Sequence, residues 1–250
     1  MLPAIIIVPL LAFAPGLFWL WYFYKKDRVE PEPLKEIRKC FLLGMAVALP
    51  ASFFNDFISL ISHTLFLLVS APIVEESLKF LVVRKTVYES AEFDEPMDGV
   101  IYGVATALGF ASVENLVYLG STYAQGYQAF TMTVILRAFL TVPGHALWAC
   151  IWGFALGVAK FSEPARARRL LAKGLLLAIA LHSLFNLLTL IGPLFAIGML
   201  ILTPLLWRLA IRRIQLAEGM SPHSATGGAA GKPGSRQSTS VAGTDETSQP

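Results

Sequence analysis

Four groups of polar residues interrupt strongly apolar stretches of this 250-residue sequence. In the first group, the segment 75–79, two adjacent glutamates are followed by a lysine. On a helix Lys79 lies one turn from both Glu75 and Glu76, so one ion pair can offset part of the cost of burial. The other carboxylate is then left to accept a proton from water, which is the task of a general base. An ion-pair network that only holds helices together is the alternative interpretation.

The other three groups supply an acid, two imidazoles and an amide. Glu114 has no basic residue within helical reach, so its partner must come from another helix. His145 directly follows a proline and a glycine, which loosen the local helix. His182 and Asn186 share one helical face, so both can converge on one substrate oxygen. Taken alone, each of these groups could equally hydrogen-bond a neighbouring helix.

The composition indicates that the elements carrying these residues lie in a membrane. The chain is 55% hydrophobic and only 15% charged, whereas soluble domains are about a quarter charged. The formal net charge of +3 is too small to argue for a nucleic-acid partner. Cys40 and Cys150 lie beside or within apolar segments and indicate neither a disulfide framework nor a zinc knuckle.

Seven segments are apolar over about the 20 residues that a membrane-spanning helix needs. The second and third form one stretch, divided near Asn55 and Asp56. Lysine and arginine are concentrated in every second loop, which places the N-terminus outside and the C-terminus in the cytoplasm. The predicted spans are 2–24, 40–57, 58–83, 99–119, 129–159, 174–192 and 194–211.

The sequence therefore predicts an all-α, polytopic helical bundle of about seven transmembrane helices. Residues 1–214 form the transmembrane domain, and 215–250 form a disordered cytoplasmic tail, because few bulky apolar residues follow Gly219. Counted from the predicted cytoplasmic ends, Glu75 and His182 lie about 12–14 Å deep, but Glu114 and His145 about 21–24 Å deep. Tilt or a broken helix is needed to bring them together.

In their order and placement these motifs resemble the PrsW family of intramembrane proteases, within the wider group that includes CAAX prenyl endopeptidases and bacteriocin-processing proteases. The similarity covers roughly residues 20–190 and includes the segments 27–33 and 94–99. It implies hydrolysis of a peptide bond in a membrane-anchored protein, such as an anti-sigma factor. The expected location is the lipid bilayer of a bacterial plasma membrane, and no nucleic-acid partner is expected.

The resemblance also implies roles for particular residues. The paired-glutamate motif is expected to activate water, with Glu75 as the base and its two motif partners tuning it. Glu114 and His145 would position water or protonate the leaving amine. His182 and Asn186 of the HxxxN motif would stabilise the tetrahedral intermediate. The implied catalytic residues are Glu75, Glu76, Lys79, Glu114, His145, His182 and Asn186.

Two questions stay open at this point. Members of the family are often described as metalloproteases, but the sequence has no HExxH motif, so a metal-independent glutamate mechanism is favoured. A transporter or a non-catalytic scaffold with a buried ion-pair network would also use intramembrane acids, although paired inverted halves are not evident. Arg137 is assigned only packing or a carbonyl contact. If zinc is used, its ligands would be Glu75, Glu114, His145 and His182.

Overall fold

In the computed structural model, which describes residues 2–223, the chain folds into a helical bundle, and this confirms the predicted all-α class. Two π-helical segments, Phe66–Ser70 and Arg137–Thr141, join α3 to α4 and α6 to α7. A 3-10 turn, Gly192–Leu194, precedes the last helix. The α-helices of the described part are α1 (Leu2–Tyr24), α2 (Leu34–Ile61), α3 (His63–Leu65), α4 (Ala71–Thr86), α5 (Pro96–Gln125), α6 (Tyr127–Leu136), α7 (Val142–Lys160), α8 (Pro164–Leu190) and α9 (Phe195–Gly219).

Six helical stretches of the described chain are long and apolar enough to cross a membrane, so the predicted polytopic bundle is confirmed. The remaining predicted span, 58–83, corresponds to α3, the first π-helical segment and α4. These extend about 36 Å together, enough for a roughly 30 Å hydrocarbon core, but they carry the ionisable 75–79 motif. The six stretches are Ile5–Tyr24, Leu34–Ile61, Pro96–Gln125, Tyr127–Lys160, Pro164–Leu190 and Phe195–Gly219.

The division between the second and third predicted spans lies at Ser62 and not near Asn55 and Asp56, where it was expected. Helix α2 continues through both polar residues because Asn55 is buried and finds side-chain partners on the next helical stretch. Ser62 is extended, with φ −159° and ψ 117°, and its hydroxyl accepts a hydrogen bond from the backbone N–H of Leu65 at 3.2 Å. It therefore acts as the cap that starts the following helix.

Helices α5 and α7 form the centre of the bundle. In the most apolar windows of Pro96–Gln125 and Tyr127–Lys160, the spans that contain these helices, 78% and 61% of the residues are buried, compared with 17–28% in the other four spans. The two helices approach closely because Gly99 and Gly153 face each other, and a Cβ on either would collide with the backbone of the other. Small residues commonly permit such contacts between membrane helices. The outer helices leave large apolar side chains exposed, as a lipid environment requires.

The predicted boundary between the bundle and the tail falls within α9. This helix passes residue 214 and ends at Gly219, followed by a turn that reaches His223. The rest of the predicted disordered tail, 224–250, lies outside the described residues.

Candidate active site

The paired glutamates lie near the start of α4, immediately after a π-helical segment. Pro72 at the start of α4 has no backbone N–H to donate to the preceding turn, which fits the change of helix type there. Glu76 and Lys79 are completely buried, and Glu75 is 5% exposed. The second π-helical segment precedes Pro143 and His145 in the same way, so the two motifs follow similar helix irregularities.

Lys79 is the hub of the site. Its Nζ lies 2.8 Å from Oε1 of Glu76 and 3.4 Å from Oε2 of Glu75. The same nitrogen lies 2.9 Å from Nδ1 of His145 on α7, and 4.2 Å from the centre of the Phe110 ring on α5. An ammonium group only donates, so we assign Nδ1 of His145 as an acceptor and place the ring proton on Nε2.

Glu76 has partners on both carboxylate oxygens. In addition to Lys79, Oε1 faces Nδ1 of His182 at 3.1 Å, and Oε2 accepts the indole N–H of Trp152 at 3.0 Å. The His182 ring stacks on Trp148, with 3.9 Å between ring centres and 10° between ring planes. These contacts fix Glu76 in place, and they fix the imidazole of His182 against it.

Glu114 finds its partner on another helix, as predicted. The guanidinium of Arg137 lies 2.7 Å from Oε2 of Glu114, and Nε2 of His145 lies 3.1 Å from the same oxygen. Arg137 also donates to the side-chain oxygen of Asn115 and covers the ring of Tyr118. The assignment of Arg137 to packing or a carbonyl contact was therefore wrong. The position of Arg137 inside an apolar span could have indicated this ion pair, because charged residues within membrane spans normally pair with one another.

Glu75 is held more loosely than its neighbour. Beyond Lys79, its carboxylate accepts from Nδ2 of Asn55 at 3.4 Å, and Asn55 in turn accepts from the Ser70 hydroxyl at 3.1 Å. Sequence reasoning missed Asn55 and Ser70 as site residues. The polarity of Asn55 within an apolar stretch was visible, but it was interpreted as a helix break.

Two cavities meet at Glu75 and Glu114. The larger has a volume of about 330 Å³ and the smaller about 190 Å³. Asn186 also lines the larger one, and its Nδ2 donates to the backbone carbonyl of Leu67 at 2.8 Å. Five of the seven predicted residues border this larger cavity: Glu75, Glu114, His145, His182 and Asn186. Lys79 and Glu76 lie behind them, fully buried.

The predicted difference in depth between His182 and Glu114 is removed by the observed helix ends. Helix α8 begins at Pro164, ten residues before the predicted start at 174. Measured along the helices from Pro164 and from Pro96, His182 and Glu114 are each about 27 Å from the end of their helix. Glu75 and His145, by contrast, lie about 17 Å and 23 Å from the ends of their helices at Thr86 and Lys160.

The site carries nearly balanced charge. Glu75, Glu76 and Glu114 supply three negative charges, and Lys79 and Arg137 supply two positive charges. One negative charge remains when both imidazoles are neutral, and a single proton balances it. A buried site with one proton to exchange is suited to acid–base chemistry.

Buried glutamates, imidazoles and a polar cavity inside a polytopic bundle are the features that a membrane-embedded acid–base enzyme requires. The family model described as "PrsW family intramembrane metalloprotease" matches residues 32–209. The chain therefore belongs to the PrsW family, and it is an intramembrane protease.

Curated relatives agree with this assignment over most of their length. The protein named Protease PrsW from Geobacillus kaustophilus is 37% identical over 210 residues, covering 82% of this chain and 90% of the relative. Protease PrsW from Bacillus subtilis is 32% identical over 212 residues, covering 83% and 94%. That from Oceanobacillus iheyensis is 36% identical over 214 residues, covering 82% and 93%. No solved structure matches significantly. The chain is thus a multi-pass membrane protein of a bacterial family.

The family description includes a metal, so the question is whether the side chains of the site can supply a set of metal ligands. The four suggested ligands do not form one set: Glu75, Glu76 and His182 form one compact group, and Glu75, Glu114 and His145 form another. In the second group, His145 accepts from Lys79 at Nδ1 and faces Glu114 with Nε2.

In the first group, the Lys79 ammonium already lies within 3.4 Å of both carboxylates. A divalent ion bound to the same oxygens would lie next to this positive charge. In this arrangement Lys79 already supplies a positive charge beside both carboxylates.

Proposed function

We propose that the chain is an endopeptidase in which Glu75 activates a water molecule without a metal ion. The observation that carries the proposal is the contrast between the paired glutamates. Both oxygens of Glu76 are occupied by Lys79, His182 and Trp152, away from the cavity. Glu75 borders both cavities, and its hydrogen bonds within residues 2–223 are two long ones of 3.4 Å, so it is the glutamate of the pair that water can reach.

In the proposed reaction, water lies in the larger cavity between Glu75 and the scissile carbonyl group. Glu75 takes a proton from the water while its oxygen bonds to the carbonyl carbon, and the carbonyl oxygen becomes negatively charged. The second N–H of the Asn186 amide is available to donate to this oxygen, because only one is used by Leu67. His182 donates from its other ring nitrogen when the ring is protonated, and Glu76 balances that charge.

The collapse of the intermediate requires a proton on the leaving nitrogen. The C–N bond breaks as this nitrogen takes the proton, either from Glu75 or from Nε2 of His145, whose Nδ1 then takes a proton from the Lys79 ammonium. Lys79 and Glu76 act as positioning residues, since they hold the base and both imidazoles. Glu114 and Arg137 hold His145 at the edge of the cavity.

The substrate in this proposal is a membrane-anchored protein, such as a membrane-tethered regulator of the anti-sigma-factor type. A substrate of this class shares the bilayer with the enzyme, which agrees with a site buried between membrane helices. We propose the bacterial plasma membrane as the location.

The test uses full-length protein in liposomes with a single-span protein substrate and follows cleavage by gel and mass spectrometry. Glu75→Gln is expected to lose activity by at least about 10³-fold while keeping its thermal stability, because only the base is removed. Glu163→Gln, an exposed residue between α7 and α8, is the matched control and is expected to cleave normally. Normal cleavage by Glu75→Gln would exclude this glutamate as the base.

The absence of a metal step is tested separately. Cleavage is expected to persist after prolonged treatment with a membrane-permeant zinc chelator. Loss of activity that zinc alone restores in the wild type, together with zinc binding lost in Glu114→Gln, would contradict the metal-free mechanism. A transporter or a scaffold would cleave nothing under any of these conditions.

A further inference from the structure

A cavity away from the active site lies between the ends of α1 and α9. It has a volume of about 250 Å³ and is lined by residues from the segments 22–28 and 207–218. We call it the α1–α9 groove. None of the predicted catalytic residues borders it. The basic loops predict that this end of both helices faces the cytoplasm.

The part of the groove nearer the middle of the bilayer is apolar. Phe23, Ala210 and Ile214 line it and are only 1%, 0% and 5% exposed, so they form a closed floor. Ile211 also lines the groove, and 42% of its surface is exposed. An exposed aliphatic side chain beside a closed apolar floor is suited to contact with a hydrocarbon chain.

The part of the groove nearer the helix ends is polar and charged. Lys26 and Arg28 follow α1, and Gln215 and Glu218 lie in the last turns of α9. The lining positions 211, 214, 215 and 218 share one face of α9, because they follow helical spacing. The groove therefore changes along its length from apolar to charged, in the same order as the acyl chain and the headgroup of a phospholipid.

The two basic side chains of the groove have no carboxylate partner within residues 2–223, where the ion pairs of lysine and arginine belong to four other side chains. The ammonium group of Lys26 instead lies 5.0 Å from the centre of the Tyr22 ring, which holds it beside the groove. Two positive charges, from Lys26 and Arg28, and one negative charge, from Glu218, leave the lining with a net positive charge.

A phosphodiester group matches this arrangement. An arginine guanidinium binds two phosphate oxygens through parallel N–H groups, and a lysine ammonium adds a compact positive charge. Basic pockets between membrane helices on the cytoplasmic side are suited to anionic headgroups. Glu218 repels a phosphate and so directs it toward Lys26 and Arg28. Its carboxylate, like the side-chain oxygen of Gln215, can accept hydrogen bonds from hydroxyl groups, which a glycerol headgroup has and a choline headgroup lacks.

We infer that the α1–α9 groove binds an anionic phospholipid with a glycerol headgroup. Its phosphate would contact Lys26 and Arg28, its hydroxyl groups would face Glu218, and one acyl chain would lie along Ile211. The lipid would join α1 to α9, whereas the proposed catalytic residues lie on α4, α5, α7 and α8. This inference does not depend on the proposed function.

The experiment measures lipid binding to the full-length protein in detergent, after removal of lipid, by native mass spectrometry and thermal unfolding. Phosphatidylglycerol is expected to bind as a single molecule per chain and to raise the unfolding temperature. Phosphatidylcholine with the same acyl chains is expected to bind at least about fivefold more weakly, because it carries no net charge to match the basic side chains. Glycerol 1-phosphate is expected to have no effect, since it lacks the acyl chain that Ile211 would contact.

Adjacent lysines provide a matched control. Lys26→Gln and Arg28→Gln are each expected to weaken binding of phosphatidylglycerol by about fivefold, the effect of one basic side chain at a membrane surface. Lys25→Gln removes the same charge from an exposed residue that does not line the groove, so it is expected to bind like the wild type. The quantity compared is the shift in unfolding temperature that the lipid causes in each variant, so that any difference in stability without lipid does not contribute.

Three results would overturn the inference. Equal binding of phosphatidylcholine and phosphatidylglycerol would show that the groove does not select an anion. Equal losses in Lys25→Gln and Lys26→Gln would show that only the general charge of the surface matters. Full stabilisation by glycerol 1-phosphate alone would identify a free phosphate compound, and not a lipid, as the ligand.

Discussion

The side-chain nitrogen of Lys79 lies 2.9 Å from Nδ1 of His145, although 66 residues separate them in the sequence. This contact connects α4 to α7 and determines which nitrogen of His145 carries the proton. The same lysine neutralises Glu76 and contacts Glu75. The buried Lys79 ammonium therefore stabilises the negative charge of both Glu75 and Glu76, and it orients the imidazole of His145.

Replacing Lys79 is expected to damage both stability and activity. Lys79→Met keeps the length of the side chain but leaves Glu76 as an uncompensated buried charge, which costs about 3–5 kcal/mol. Thermal unfolding in detergent and the cleavage assay measure the two effects. Lys35→Met, an exposed lysine at the start of α2, is the control and is expected to behave as the wild type. Equal stability of the two variants would contradict the central role of Lys79.

Trp152 is expected to act as a positioning residue for Glu76. Trp152→Phe keeps an aromatic ring but removes the N–H that donates to Oε2 of Glu76, and it leaves a buried oxygen unsatisfied at a cost of about 1–3 kcal/mol. We expect a lower kcat with little change in KM, since no contact with the substrate is lost. Trp207→Phe, outside the site, is the control. A change in KM alone would indicate a role in substrate binding instead.

The sequence predicts the bundle and most of the site because intramembrane charges are rare and therefore informative. Apolar length is sufficient to find six spans, and helical spacing is sufficient to pair Lys79 with both glutamates. Contacts between distant segments follow from tertiary packing and have no local signal. Asn55 was for this reason interpreted as a break, and Trp152 had no visible role, although each contacts one of the paired glutamates.

The Glu114–Arg137 ion pair is expected to be strongly coupled. Glu114→Gln leaves Arg137 buried without its carboxylate, and Arg137→Gln leaves Glu114 without its guanidinium, so each single variant should lose about 3–5 kcal/mol of stability. The double variant is expected to lose clearly less than the sum of the two. A double-mutant cycle by thermal or chemical unfolding measures this coupling energy. Simple additivity of the two losses would show that the pair contributes little.

Asp27 and Glu32, two buried carboxyl groups in the loop between α1 and α2, are expected to make stability depend on pH. Burial and the neighbouring carboxylates raise the pKa of Asp27 to about 7 and that of Glu32 to about 11. In the unfolded chain both groups lose their protons near pH 4. Between these values the folded state holds more protons than the unfolded state, so the free energy of unfolding falls as the pH rises.

Asp27 should account for the part of this decrease between about pH 4 and 7, and Glu32 for a part that continues to higher pH. Asp27→Asn is therefore expected to flatten the stability profile below pH 7, while Glu163→Gln leaves it unchanged. Unfolding temperatures measured across this range provide the comparison, and the difference between the two variants isolates the contribution of Asp27 from that of other groups. A profile that is identical in the wild type and Asp27→Asn would mean that Asp27 keeps a normal pKa in the folded protein.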